Sequence, residues 1–101
     1  MLIMDNKNGE LENYRKRIDE LDSKIINLLA ERMLLVRGIA RIKRENHLSV
    51  ANMERERDKR LAAKKILRNK GRGELSEYIE WIYEEIFRVS RAYQEELNGK
   101  I

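Results

Sequence analysis

At 101 residues the chain suits a single domain, and a core that so short a chain builds alone is marginal, with oligomerisation a common remedy. It has no cysteine, which excludes a disulfide framework, a thiolate nucleophile and a Cys-based zinc site. With no proline, 42% hydrophobic and 40% charged residues, it favours long, solvent-washed helices over a sandwich or barrel, and its net charge of +4 favours anionic partners.

Met1 to Met4 are apolar but too short a run for a signal peptide, and no apolar run approaches the roughly 20 residues of a membrane span. They lead into Asp5, Asn6, Lys7, Asn8 and Gly9, so residues 1–9 are expected to be a flexible segment and residues 10–101 the one domain. Translation starts at Met1 or at Met4. The expected compartment is the cytoplasm, with no membrane association.

From Leu11 to Ile42 runs an apolar heptad. One set of positions holds Leu11, Ile18, Ile25, Arg32 and Ile39; the other holds Tyr14, Leu21, Leu28, Leu35 and Ile42. Only Gly38 weakens helix propensity there. The pattern predicts one helix from about Glu10 to Glu45, on the order of 50 Å long at 1.5 Å per residue. Such a helix outruns the core of its own chain and needs a second chain to cover its stripe.

Asn46 to Ala51 reads as a turn, after which Ser49 or Asn52 caps a second helix with Glu54 and Glu56 in its first turn, where the helix dipole favours them. That helix reaches about Asn69, with a weaker stripe of Met53, Leu61, Ala62, Ile66 and Leu67, and Gly71-Arg72-Gly73 breaks it. A third helix spans about Glu74 to Leu97, with Leu75, Ile79, Ile82, Ile86, Val89 and Tyr93 on one stripe, and Asn98-Gly99 is a plausible stop. The fold expected is all-α: one very long N-terminal helix and two shorter ones.

Some charges do not belong on these stripes. Arg32 occupies a heptad position where Leu or Ile is expected. It is either a snorkelling arginine or a buried cation that needs an anion, because an unpaired buried charge is expensive. Lys43 follows Arg32 by 11 residues, about 16 Å and three turns on the same face, so two long side chains can converge on one small anion. Arg15 and Arg32 are 17 residues apart, roughly 25 Å, and cannot both grip one small molecule from the same helix. Arg15 can join such a site only from a partner chain. Arg55 and Glu56 are ordinary surface charges taken alone. Ser90 and Gln94, spaced i, i+4, continue a second stripe made by Tyr83 and Phe87 and line either a pocket or a helix surface.

In this order and spacing these residues resemble the all-helical class of chorismate mutases. The strongest stretch is Arg15-Lys16-Arg17-Ile18-Asp19-Glu20-Leu21-Asp22, followed by Leu28-Leu29-Ala30-Glu31-Arg32, and the likeness runs from Leu11 to about Leu97. The resemblance implies a cofactor-free isomerase of aromatic amino acid biosynthesis, in the shikimate pathway. It would rearrange chorismate to prephenate in an intertwined homodimer whose two sites are each completed by Arg15 of the other chain. It assigns Arg32 to a carboxylate of the dianionic substrate, and Lys43 to a carboxylate and the breaking ether bond. Gln94 is assigned to the ether oxygen, Glu56 to the ring hydroxyl, and Arg55 and Ser90 to the site wall. The family usually has Asp where this chain has Asn52, beside the ring hydroxyl. An amide can still accept that hydrogen bond, but one negative charge is gone.

The chemistry suits the inventory. A pericyclic rearrangement needs no nucleophile and no metal. It needs a compact conformer held in place, and donors aimed where charge grows on the ether oxygen. Rivals on the same fold are an isochorismate-pyruvate lyase and a mutase of the 4-amino analogue of chorismate. A rival from another class is a nucleic-acid- or partner-binding protein using Lys59, Arg60, Lys64, Lys65, Arg68, Lys70 and Arg72. Against it stands Arg32, whose seam position could not reach a duplex. A plain coiled-coil dimer leaves Arg32, Ser90 and Gln94 unexplained.

Overall fold

A computed structural model describes residues 2–99, with side chains from residue 8 onward. The side chains of Met1 to Met4, on which the choice of start site bears, lie outside the described residues. Among the described residues the fold is all-helical: α1 (Leu2–Glu45), α2 (Met53–Asn69), a short 3-10 turn (Gly73–Leu75) and α3 (Ser76–Gly99). The helix α1 begins at Leu2 rather than near Glu10. A polar stretch without proline leaves backbone hydrogen bonding intact, and Gly9 lowers helix propensity without ending the helix.

The chain divides into two compact units, residues 1–34 and 35–101. The first is helical throughout its described length, and its apolar stripe is open to solvent: Leu11, Tyr14, Ile18, Leu21, Ile25 and Leu28 are all exposed, Leu28 at 63%. In the second unit the end of α1 turns its other face inward. Val36 and Ala40, one helical turn apart, are buried, while the heptad residues Leu35, Ile39 and Ile42 are exposed.

Two helix ends in this unit share one design. Leu48 N–H donates to Lys43 carbonyl at 2.7 Å and His47 N–H to Arg44 carbonyl at 3.2 Å. Arg72 N–H donates to Leu67 carbonyl at 2.8 Å and Gly71 N–H to Arg68 carbonyl at 3.1 Å. Both are Schellman motifs, whose pivotal residue is left-handed. Gly71 takes φ 67° freely, whereas His47 adopts φ 55° with a side chain. At the start of α2 the sequence offers two caps, and Asn52 is the one used: its Oδ1 accepts Arg55 N–H at 3.0 Å.

Helices α2 and α3 are antiparallel, as three ion pairs in opposite chain order require. Glu56 meets Arg91, Arg60 meets Glu84 at 2.8 Å, and Lys64 meets Glu80 at 3.2 Å. Between the first two rungs the Arg60 guanidinium lies 5.9 Å from the centroid of the Phe87 ring. The in-chain face of α3 is therefore the stripe of Phe87, Ser90 and Gln94, all buried. On the longer apolar stripe Leu75, Ile82 and Val89 are exposed, while Ile79, Ile86 and Tyr93 are half-buried. Among the described residues only Val36, Ala40 and Phe87 are buried hydrophobics.

Candidate functional site

The candidate residues of the second unit come from the end of α1, the start of α2 and the second half of α3. Lys43 lies one further turn along the Val36–Ala40 face and is half-buried. Its Nζ donates to Val50 carbonyl at 2.7 Å, which ties the helix end to the loop before α2. An ammonium has three N–H donors, so this bond leaves two for an anion.

Asn52 caps α2, and Arg55 and Glu56 lie in its first turn. Asn52 is exposed and spends one Oδ1 lone pair on the cap. Arg55 is exposed. Glu56 is buried, and its backbone N–H donates to Asn52 carbonyl at 3.1 Å. A carboxylate there gains from the positive end of the helix dipole.

Sequence reasoning missed the partner of Glu56. Arg91 Nη1 reaches Oε1 at 2.6 Å and Oε2 at 2.5 Å. The signal was present: Arg91 lies i+4 from Phe87 and i−3 from Gln94, on the edge of the buried stripe, where a cation needs an acid. A second unforeseen link is Arg37 Nε donating to Tyr93 Oη at 3.0 Å, which joins α1 to α3.

On α3, Ser90 Oγ donates to Ile86 carbonyl at 2.7 Å. Gln94 Nε2 donates to Ser90 carbonyl at 3.3 Å, and Gln94 Oε1 is buried without a hydrogen-bond partner. Buried polar atoms in native proteins are nearly always paired, so an orphaned amide oxygen marks a position that is not structural filler.

In the first unit, Arg15 is exposed and pairs with Glu12 one turn earlier at 3.0 Å, a contact of surface type worth little. Arg32 is half-buried, in contrast to the exposed apolar residues at equivalent heptad positions. Among the described residues no group of three or more His, Asp or Glu side chains has metal-ligating geometry, and no helix is long and apolar enough to cross a membrane.

The family model for type II chorismate mutases matches residues 14–95. The chain is 39% identical over 93 residues to a bifunctional chorismate mutase/prephenate dehydratase of Buchnera aphidicola subsp. Acyrthosiphon pisum, an alignment covering 92% of this chain and 24% of that protein. It is 42% identical over 48 residues to a chorismate mutase of Methanocaldococcus jannaschii, 48% of each chain. The chain therefore spans about a quarter and about half of these two relatives in the aligned regions. No solved structure matches it significantly. With residues from Tyr14 to Glu95 inside the matched region and Lys43, Glu56, Ser90 and Gln94 placed on the three helices as described, the chain belongs to the type II chorismate mutase family.

Proposed function

We propose that this protein is a chorismate mutase, converting chorismate to prephenate by intramolecular [3,3] rearrangement in the route to phenylalanine and tyrosine. The observation that carries the reading is Gln94. Its amide is buried on α3, makes a single long hydrogen bond to Ser90 carbonyl, and keeps a second N–H for a ligand. An amide is suited to a developing ether oxyanion because it donates at any pH and costs no proton transfer. Lys43, anchored by Val50 and with N–H donors to spare, is the cation for a carboxylate and the same ether oxygen. Arg32 is the clamp for the other carboxylate. Asn52 and Glu56 meet the ring hydroxyl, and Arg55 and Ser90 complete the wall.

The working unit in this reading is a homodimer that shares its sites, each taking Arg15 from the partner chain. The exposed stripe of α1, the exposed Leu75 of the 3-10 turn and the exposed Ile82 and Val89 of α3 support it, since apolar surface on this scale marks an interface. The rival reading as a nucleic-acid binder loses support in α2, where Arg60 and Lys64 are held by Glu84 and Glu80.

The test is direct. Purified protein mixed with chorismate should consume it with equimolar formation of prephenate. Release of pyruvate from isochorismate, with no prephenate formed from chorismate, would assign the protein to the lyase reaction instead.

A further inference from the structure

Glu56 is the acceptor proposed above for the substrate's ring hydroxyl, yet it is already engaged. One nitrogen of Arg91 bridges both of its carboxylate oxygens, at 2.6 and 2.5 Å. A carboxylate offers about four lone-pair sites, so one site on each oxygen remains for a ligand. Arg91 therefore leaves about half of the hydrogen-bonding capacity of Glu56 while compensating its charge. Arg60, one helical turn after Glu56 on α2, is directed to a different acid, Glu84.

The other acid in the first turn of α2, Glu54, is exposed. Asn52, one helical turn before Glu56, is a neutral amide. Arg55 adds a cation next to Glu56 in sequence, and the first turn of α2 contributes the positive end of its dipole. The group that Glu56 accepts from thus meets a carboxylate whose charge Arg91 compensates. A hydroxyl is indifferent to that compensation, whereas an ammonium at the same ring position is denied a counter-charge.

We infer that Arg91 is a positioning residue that sets specificity, holding Glu56 as a charge-compensated acceptor so that the site takes a ring hydroxyl and rejects a ring ammonium. This rests on the mutase reading and names the substrate class within it. Unlike a purely structural ion pair, the arrangement makes the ratio of the two substrates depend on the net charge of the Glu56–Arg91 pair.

The experiment compares chorismate with 4-amino-4-deoxychorismate on the full chain. The readout is kcat/KM where a compound turns over and an inhibition constant where it does not. Arg91→Gln leaves the pair at net −1 and should move the ratio toward the amine by about tenfold, the effect of one unit charge at roughly 6 Å with an effective dielectric constant of about 40. Arg91→Lys keeps the charge and should hold the ratio near wild type. Glu56→Gln leaves the pair at net +1 and should move the ratio the other way. The double variant, neutral again, should return it. Loss of activity on both compounds in equal proportion, with the ratio fixed across the four variants, would overturn the inference. If Arg91→Gln does not fold, the opposite shift in Glu56→Gln and its reversal in the double variant carry the test. Asn52→Asp, which adds a negative charge without touching the ion pair, should also favour the amine. A wild type inactive on both compounds overturns the mutase reading and this inference with it; an active wild type whose ratio ignores the charge overturns the inference alone.

Discussion

The Asn52 side-chain carbonyl accepts the Arg55 backbone N–H at 3.0 Å, so the residue proposed to meet the ring hydroxyl is also the cap of its helix. The two roles can be separated. Asn52→Ala should lower stability by about 1 kcal/mol through loss of the cap. Asn52→Ser should keep the cap and the stability, because a serine hydroxyl accepts the same N–H, while its shorter side chain withdraws from the ligand. A fall in kcat/KM for Asn52→Ser at unchanged thermal stability places Asn52 at the substrate. Full activity in the serine variant would restrict Asn52 to capping.

Gln94 makes a second case. An amide cannot ionise, so Gln94 contributes no pH dependence to turnover. Gln94→Glu should introduce one, because a carboxyl donates to the ether oxygen only while protonated, and an ordinary Glu loses that proton near pH 4.3. Activity of this variant should rise as pH falls. A profile parallel to wild type would remove Gln94 from the ether oxygen.

The two Schellman motifs predict opposite effects from complementary substitutions. His47 holds φ 55° where Gly71, in the matching position of α2, holds φ 67°. His47→Gly should raise stability by about 0.5 kcal/mol, the relief of a left-handed side chain less the extra freedom of glycine when unfolded. Gly71→Ala should lower it by roughly 1 kcal/mol. Thermal unfolding at matched protein concentration measures both. Because the carbonyl of Lys43 closes the first motif, turnover in His47→Gly also reports whether the placement of Lys43 depends on that turn.

The shared-site proposal has its own signature. Sedimentation at micromolar concentration should give twice the chain mass of 12.1 kDa. Arg15→Ala and Arg32→Ala should each abolish most activity as homodimers. Unfolded together in equal amounts and refolded, they should regain about a quarter of wild-type activity, since half the dimers are mixed and each mixed dimer has one intact site under two-fold symmetry. No gain over the separate variants would disprove sharing between chains.

Helix identity and the ends of α2 were legible in the sequence because local chemistry decides them: Asn52 caps, Gly71 turns, and no proline interrupts. The start of α1 was not, because Asp5, Asn6, Asn8 and Gly9 are poor helix formers that a continuing helix nonetheless accommodates. The stripes of α3 were both visible, but periodicity cannot rank them. The shorter one is buried in the chain because Glu80 and Glu84 pair with α2, and such pairings are properties of the pair of helices rather than of either. Arg91 escaped notice for the same reason: its partner lies 35 residues away.

A core of Val36, Ala40 and Phe87 has a kinetic consequence. If a catalytic centre exists only when two chains meet, the turnover assigned to each chain is not a constant. On dilution below the dissociation constant the rate should fall with the square of total protein, and an assay run at trace enzyme would report the strength of association in place of the chemistry. Premixing at high concentration and then diluting should reveal a slow decay of activity whose time course is the separation of the two copies.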